Sequence, residues 1–414
     1  MVKRLMLILG YAGMVMSLAG CFPNADAGQD KQIVTGLAVT MDGSGSSELL
    51  GQGLTFHWVF SDGFECDGEV VSHTFADTGD YIATLEVTDK DDVKNSDTAA
   101  IEVISFEELS TPVTAFDSTG AGYELEAPLV ECLADGRMVL IEGNSDTQIE
   151  IALESGAKTR EFTFITAIEG TSGTWNFASF AEVVDDNAII VGCGDKIYRV
   201  DLVTGTVDTI AVVNNYDGMI DGDLLYYTVA ETDPVTWESI GYVRTIDLSD
   251  PDPGSTQTDL VSGIPGASAG ICLDANKNIY TGNGYSNSGI DETGLIKRFS
   301  PEDLPEVWAS GSFVADILSA GSLIWDDKGI LLVGGGDLYG DSGDKNNFAA
   351  VDVITGEKIW QLDPDTQGAA SSYKLNSSKD ADCFAASIWN YPSWGSSDPG
   401  EGTIYIAPFS ALGL

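Results

Sequence analysis

The 414-residue chain has only two histidines, His57 and His73. Everything downstream of them therefore lacks a Ser/His/Asp triad, a Cys/His pair or a His-rich metal centre. Cations are scarce too: 19 Lys and Arg stand against 65 Asp and Glu, a formal charge of -46. Charge of that sign repels nucleic acid and anionic membrane surfaces, and it suits cation binding, a salty extracellular setting or plain solubility. Long amphipathic helical patterns are absent, and no cysteine spacing suggests zinc or haem. What is abundant is glycine (47 residues) together with short apolar runs broken by Asp, Asn and Gly turns, the pattern of an all-β protein. An apolar content of 43% is ordinary, so a buried core is expected, and the length suits two or three domains.

The one long apolar run, Leu5 to about Ala19, follows Lys3 and Arg4 and is too short for a comfortable membrane span. It ends in Leu18-Ala19-Gly20-Cys21, which resembles the lipobox of bacterial lipoproteins. That resemblance implies removal of residues 1–20 as a signal peptide and lipidation of Cys21. The chain would then be tethered by acyl chains alone. Phe22, not Asp, follows the cysteine, so outer-membrane or cell-surface display is expected over inner-membrane retention.

Residues 21–104 read as one β unit. In order come Met41-Asp42-Gly43-Ser44-Gly45-Ser46-Ser47, Phe56-His57-Trp58-Val59-Phe60-Ser61-Asp62-Gly63, and Ser72-His73-Thr74-Phe75 leading to Gly79-Asp80-Tyr81. Ala83, Leu85 and Val87 then alternate with Ile82, Thr84, Glu86 and Thr88. The segment resembles a PKD domain, an immunoglobulin-like sandwich, although Val59 stands where the family usually has Asp. The resemblance implies a spacer or adhesion module without chemistry of its own. Trp58 and Tyr81 are expected to fill its core, and the histidines to serve as structural hydrogen-bonding residues. Asp89, Asp91 and Asp92 form either a solvated turn or a calcium site.

Residues 105–414 repeat. Asn347 to Trp360 reads as a strand, a Thr355-Gly356 turn and a second strand, with Ala349, Val351, Val353 and Ile359 spaced as in a half-buried strand. Lys196 to Val207 copies it, and Gln148 to Lys158 copies it weakly. A single hairpin cannot bury both faces, so recurrence implies stacked modules. Six Asp/Asn/Gly turns, at 134–136, 185–187, 221–223, 274–276, 326–329 and 379–382, each precede a strand. The expected fold is a β-propeller of six four-stranded blades, with seven as the alternative. The last unit lacks a fourth strand after Thr403–Ala407, and the segment from about Phe106 to Phe116 is expected to supply it as a clasp. The region resembles propellers of the YVTN and PQQ-repeat kind, a likeness strong for fold and weak for function.

Long insertions are expected between second and third strands, at 231–239, 283–293, 337–347 and 390–402, gathered on one face. They carry Trp237, Tyr285, Tyr339, Tyr391 and Trp394 among small polar residues, which suits stacking on sugar rings or gripping a peptide, or simply loop packing. In one of them, Asp337, Asp341, Asp344 and Asn346 offer oxygen ligands for Ca2+, although no glutamate closes the loop. A carboxylate pair for acid–base work has no specific signal among 65 acids. After Cys21, five cysteines remain, so at least one thiol is free. Cys132 and Cys272, in matching strands across the ring, are expected to be buried and unpaired.

These features point to a lipid-anchored surface protein whose propeller recognises a glycan, peptide or protein without catalysis. The rival is a propeller enzyme of the quinoprotein dehydrogenase or polysaccharide lyase type. A third reading is a scaffold subunit of an envelope complex.

Overall fold

The computed structural model describes residues 22–48, 53–109, 128–143, 148–156, 160–169, 178–232, 235, 239–265, 268–283, 296–300, 306–310, 322–325, 328–335, 348–362, 370–391 and 401–414. It divides into two compact units, residues 1–104 and 105–414.

The first unit is a sandwich. A five-stranded sheet runs in the order Lys31–Val34, Lys94–Ile104, Gly79–Thr88, Thr55–Phe60 and Glu65–Asp67, and Ala38–Asp42 pairs with Val70–Thr74 to form the second layer. Alternation decides what is buried: Ala83, Leu85 and Val87 point inward with Trp58, Phe60, Phe75 and Met41, while Ile82 is exposed. The Trp58 indole satisfies its N–H on the Gly68 carbonyl at 3.0 Å, so it can fill the core without an orphaned donor. Tyr81 does not join that core. It is half-buried, stacks on Phe75 at 4.2 Å and donates its hydroxyl to the Asp77 carbonyl, because a phenol near the start of its strand keeps its polar end at the rim. Asp89 accepts the Asp91 and Val93 amides and so acts as a turn former.

The second unit consists of six four-stranded sheets. Blades 1 to 5 begin with inner strands Leu129–Cys132, Phe180–Asp185, Asp217–Asp221, Ser268–Leu273 and Ser322–Trp325, and blade 6 with Ala370–Ser378. Each inner strand lies beside those of the blades before and after it, and that of blade 6 lies beside that of blade 1, so the ring closes. The fourth strand of blade 6 is Glu107–Leu109, paired antiparallel with Ile404–Ile406. This is the clasp the sequence called for. All six Asp/Asn/Gly turns join first to second strands, and the Thr-Gly turns join third to fourth strands in blades 2 and 5. The two Thr-Gly turns share one mechanism. Asp201 and Asp352 each take two turn amides on one carboxylate oxygen at 2.7–2.9 Å, and Gly205 and Gly356 both sit at φ of 72°.

The half-buried reading of the repeat strand is corrected. Ala349, Ala350 and Val351 are all fully buried, because a blade is sandwiched between two neighbours and has no wet face. Blade 2 shows the same logic. Ile189, Val191 and Cys193 pack toward blade 1, whereas Ile190, in the same strand, packs with Leu225 and Tyr227 of blade 3. On the outermost strand of blade 5, which has no neighbouring strand on one side, Ile359 is 49% exposed.

The cysteine expectation is corrected as well. Cys132 is disulfide-bonded to Cys383 of blade 6, with Cα atoms 6.2 Å apart, while Cys272 is buried and free. Matching by strand position placed Cys132 opposite Cys272. Ring closure instead brings blade 1 against blade 6, where Val130, Cys132, Met138 and Leu140 share a core with Ala385, Ile404 and Ile406.

Candidate functional site

The inner strands converge on an axial cavity of about 270 Å3. Each of the first three blades lends it a carboxylate: Glu131, Glu182 and Asp217. Blade 6 supplies Lys374 and Asn376 from its inner strand and Ser387 from its second. Lys374 and Ser387 are directly paired across those two strands, which puts both on the same face of the blade.

The polar groups differ in how well they are satisfied. Asp217 is fully engaged: one oxygen lies 3.3 Å from the Lys374 ammonium and the other accepts the Ile271 amide at 2.9 Å. Asn376 accepts the Cys132 amide at 3.1 Å, which fixes its orientation so that its NH2 donates to Glu131 Oε2 at 2.5 Å. Glu131 is only 5% exposed, and its other oxygen has no hydrogen-bond partner among the described residues. Glu182 accepts the Ile220 amide at 3.3 Å. Ser387 is 3% exposed and its hydroxyl has no partner among the described residues.

Burial, reinforced by the Glu182 charge, holds the Glu131 carboxyl well above the ordinary range, against the Asn376 hydrogen bond. Burial and the Asp217 charge push Glu182 up to about 8. Burial also raises Asp217, with Lys374 opposing it. The Cys272 thiol, beside the same cavity, is pushed well up by burial and by the Asp217 and Asp274 charges, so it is no thiolate nucleophile. The cavity thus gathers three acidic side chains, two of them held well above the ordinary carboxylate range, around one ammonium. Among the described residues no group of three His, Cys, Asp or Glu closes around a metal.

The site anticipated on the loops is a different one. Trp237, Tyr285, Tyr339 and Trp394 lie outside the described residues, as do Asp337, Asp341, Asp344 and Asn346 of the proposed Ca2+ loop, Cys21, and the Tyr391 side chain. The four insertions do connect second to third strands, so each leaves its blade at the end where the inner strand begins. Sequence reasoning missed the axial groups. Their one legible signal is an acid inside a short apolar inner strand, as in Leu129-Val130-Glu131-Cys132 and Phe180-Ala181-Glu182-Val183.

With both units described, comparison with known proteins adds a domain assignment. Residues 22–103 match the PKD domain family. In this PKD domain both histidines are engaged: His73 Nε2 lies 2.6 Å from Asp62, with its ring stacked on Phe64, and His57 Nδ1 lies 2.7 Å from Asp67. Among solved structures, a quinonprotein alcohol dehydrogenase-like protein from Bacteroides thetaiotaomicron aligns at 12% identity and a TM-score of 0.40, over 94% of this chain and 99% of that one. A structural genomics protein of unknown function from the same organism aligns at 9% identity and a TM-score of 0.47, over 93% and 98%. Regucalcin, a calcium-binding protein from Agrobacterium tumefaciens, aligns at 11% and 0.45, over 72% and 93%. At these values none of the three bears on activity. No curated protein gives a significant match.

Proposed function

We propose that the chain is a recognition protein, lipid-anchored at Cys21 and displayed on the outer membrane or cell surface. Its PKD domain serves as a spacer, and its propeller binds a glycan, peptide or protein at the channel and the loops around its mouth. The supporting observation is the axial cavity itself. Glu131 and Ser387 turn polar atoms with spare hydrogen-bonding capacity toward the cavity, and a few convergent polar groups in an otherwise apolar lining are the expected signature of a ligand site. Probing glycan and peptide arrays with the purified protein tests this. Hits are expected, and they should be lost on Glu131→Gln combined with Asn376→Ala. Arrays that stay blank, or hits indifferent to both the channel and Trp394→Ala, would remove the reading. Metabolic labelling with an alkyne fatty acid should mark the wild type and not Cys21→Ala.

One observation favours an enzyme as the second reading. Burial holds Glu131 and Glu182 both above the ordinary carboxylate range, and a carboxyl raised in this way is the general acid that hydrolysis of a glycosidic bond requires. Turnover of a polysaccharide that is lost in Glu182→Gln would favour it.

A further inference from the structure

The recognition reading leaves open what chemistry the channel selects, and the lining narrows it. The cavity is small, below the size of pockets that enclose drug-sized ligands, so it takes a group of side-chain dimensions. Its lining is poor in aromatic surface: Phe180 is the only aromatic residue among the described lining, so a stacked sugar ring has little platform. Its charge is unbalanced. Asp217 already has Lys374, whereas Glu131 and Glu182 face the cavity with neutral partners only, Asn376 and the Ile220 amide. Independently of the acids, Ser387 presents an unpartnered hydroxyl from a residue 3% exposed. A bare metal ion is disfavoured, because no three acidic or sulfur groups among the described residues come within its reach.

Resting on the recognition reading, we infer that the axial cavity binds a primary ammonium group between Glu131 and Glu182, with Ser387 accepting the third N–H. An ammonium has three donors and no acceptor, and this lining offers two carboxylates and a hydroxyl oxygen in return. Charge-assisted bonds in a water-poor site are the strong ones, and an incoming ammonium would draw both glutamates, held protonated above the ordinary carboxylate range without it, into their charged forms. Lys374 is the internal counterpart: it already holds an ammonium against Asp217 in the same cavity. The ammonium source is a free amine, an amino sugar, or a lysine side chain of a peptide.

The test is isothermal titration of the full chain with n-butylamine, glucosamine and a lysine-containing peptide. n-Butanol, glucose, the acetyl-lysine peptide and CaCl2 serve as matched controls. At least one amine is expected to bind while its uncharged match does not, and Glu131→Gln and Glu182→Gln should each weaken it by about ten-fold or more. Ser387→Ala, which removes one acceptor and keeps both charges, should weaken it by less, and it guards against a glutamine variant that misfolds. Binding unchanged in both glutamine variants, or equal binding of the uncharged matches, overturns the inference. So does binding of Ca2+ in place of amines. Capture of a glycan or peptide without any amine preference would overturn this inference alone and leave the recognition reading standing.

Discussion

Replacing Glu182 by glutamine should stabilise the propeller, by an amount that grows with pH. Glutamine keeps the shape of the protonated acid and cannot ionise. The folded protein holds Glu182 at about 8 against an ordinary 4.5, because burial and the Asp217 charge both oppose the carboxylate. A carboxyl whose folded value is raised binds its proton more tightly when folded. Its contribution is therefore intact below the unfolded value and drains away as pH climbs toward the folded one. Integrating that linkage, the wild type is penalised relative to a non-ionising side chain by about 1 kcal/mol at pH 5, about 3 at pH 7 and about 4 at pH 8. The charge interaction with Glu131 spreads this over a wider range, so a gain near pH 8 of about half that size is the working expectation. Trp58 is the only one of eight tryptophans in the PKD domain, so urea titration followed by tryptophan fluorescence reports the propeller. Wild type and Glu182→Gln should nearly coincide at pH 5 and separate by pH 8, with the variant unfolding later. A gap that stays constant across that range, or a destabilised variant at high pH, would refute the burial and charge assignment.

The other expectations concern packing. Replacing Cys132 and Cys383 together by serine opens a loop with a sequence separation of 251, and chain entropy puts the loss at up to about 5 kcal/mol. A reducing agent should do the same to the wild type and nothing to the double variant, as read from urea midpoints. Gly192→Ala should cost more than an ordinary overpacking substitution of about 1–3 kcal/mol, because its Cβ would stand 2.2 Å from the Phe180 ring and 2.4 Å from Asn215 Oδ1, neither of which can yield. A soluble variant with wild-type melting would contradict that geometry. Trp58→Ala should remove about 3–5 kcal/mol from the PKD domain, visible as an early transition in calorimetry that leaves the propeller transition in place.

Much of the architecture was readable because it rests on local chemistry. The Asp-containing turns announce first-to-second hairpins, since an Asp carboxylate accepts amides two residues on whatever the tertiary context, as Asp185 and Asp274 do. The Thr-Gly turns work in the same way. The missing strand of blade 6 was predictable from counting. What could not be read depends on ring closure. Nothing local tells Cys132 that Cys383 will be its neighbour, and periodicity cannot separate a strand wet on one side from one pressed between two blades. The axial acids stayed hidden for a related reason. Glu131 and Glu182 look like two more charges in an acidic chain until six inner strands turn them toward a common axis and away from water.

Blade 6 meets blade 1 at the only seam where neighbouring strands come from distant parts of the sequence. Among the described residues four fastenings cross or lock it: the Glu107–Leu109 strand within blade 6, the Arg160–Glu107 ion pair, the Cys132–Cys383 bond, and Asn376 reaching to both Glu131 and the Cys132 amide. The last of these lines the channel wall. Mechanical or thermal opening of the circle should therefore start where the channel's polar groups are anchored, and anything lodged against Glu131 would act as one more rivet. Occupancy and resistance to unzipping are then two readings of a single joint.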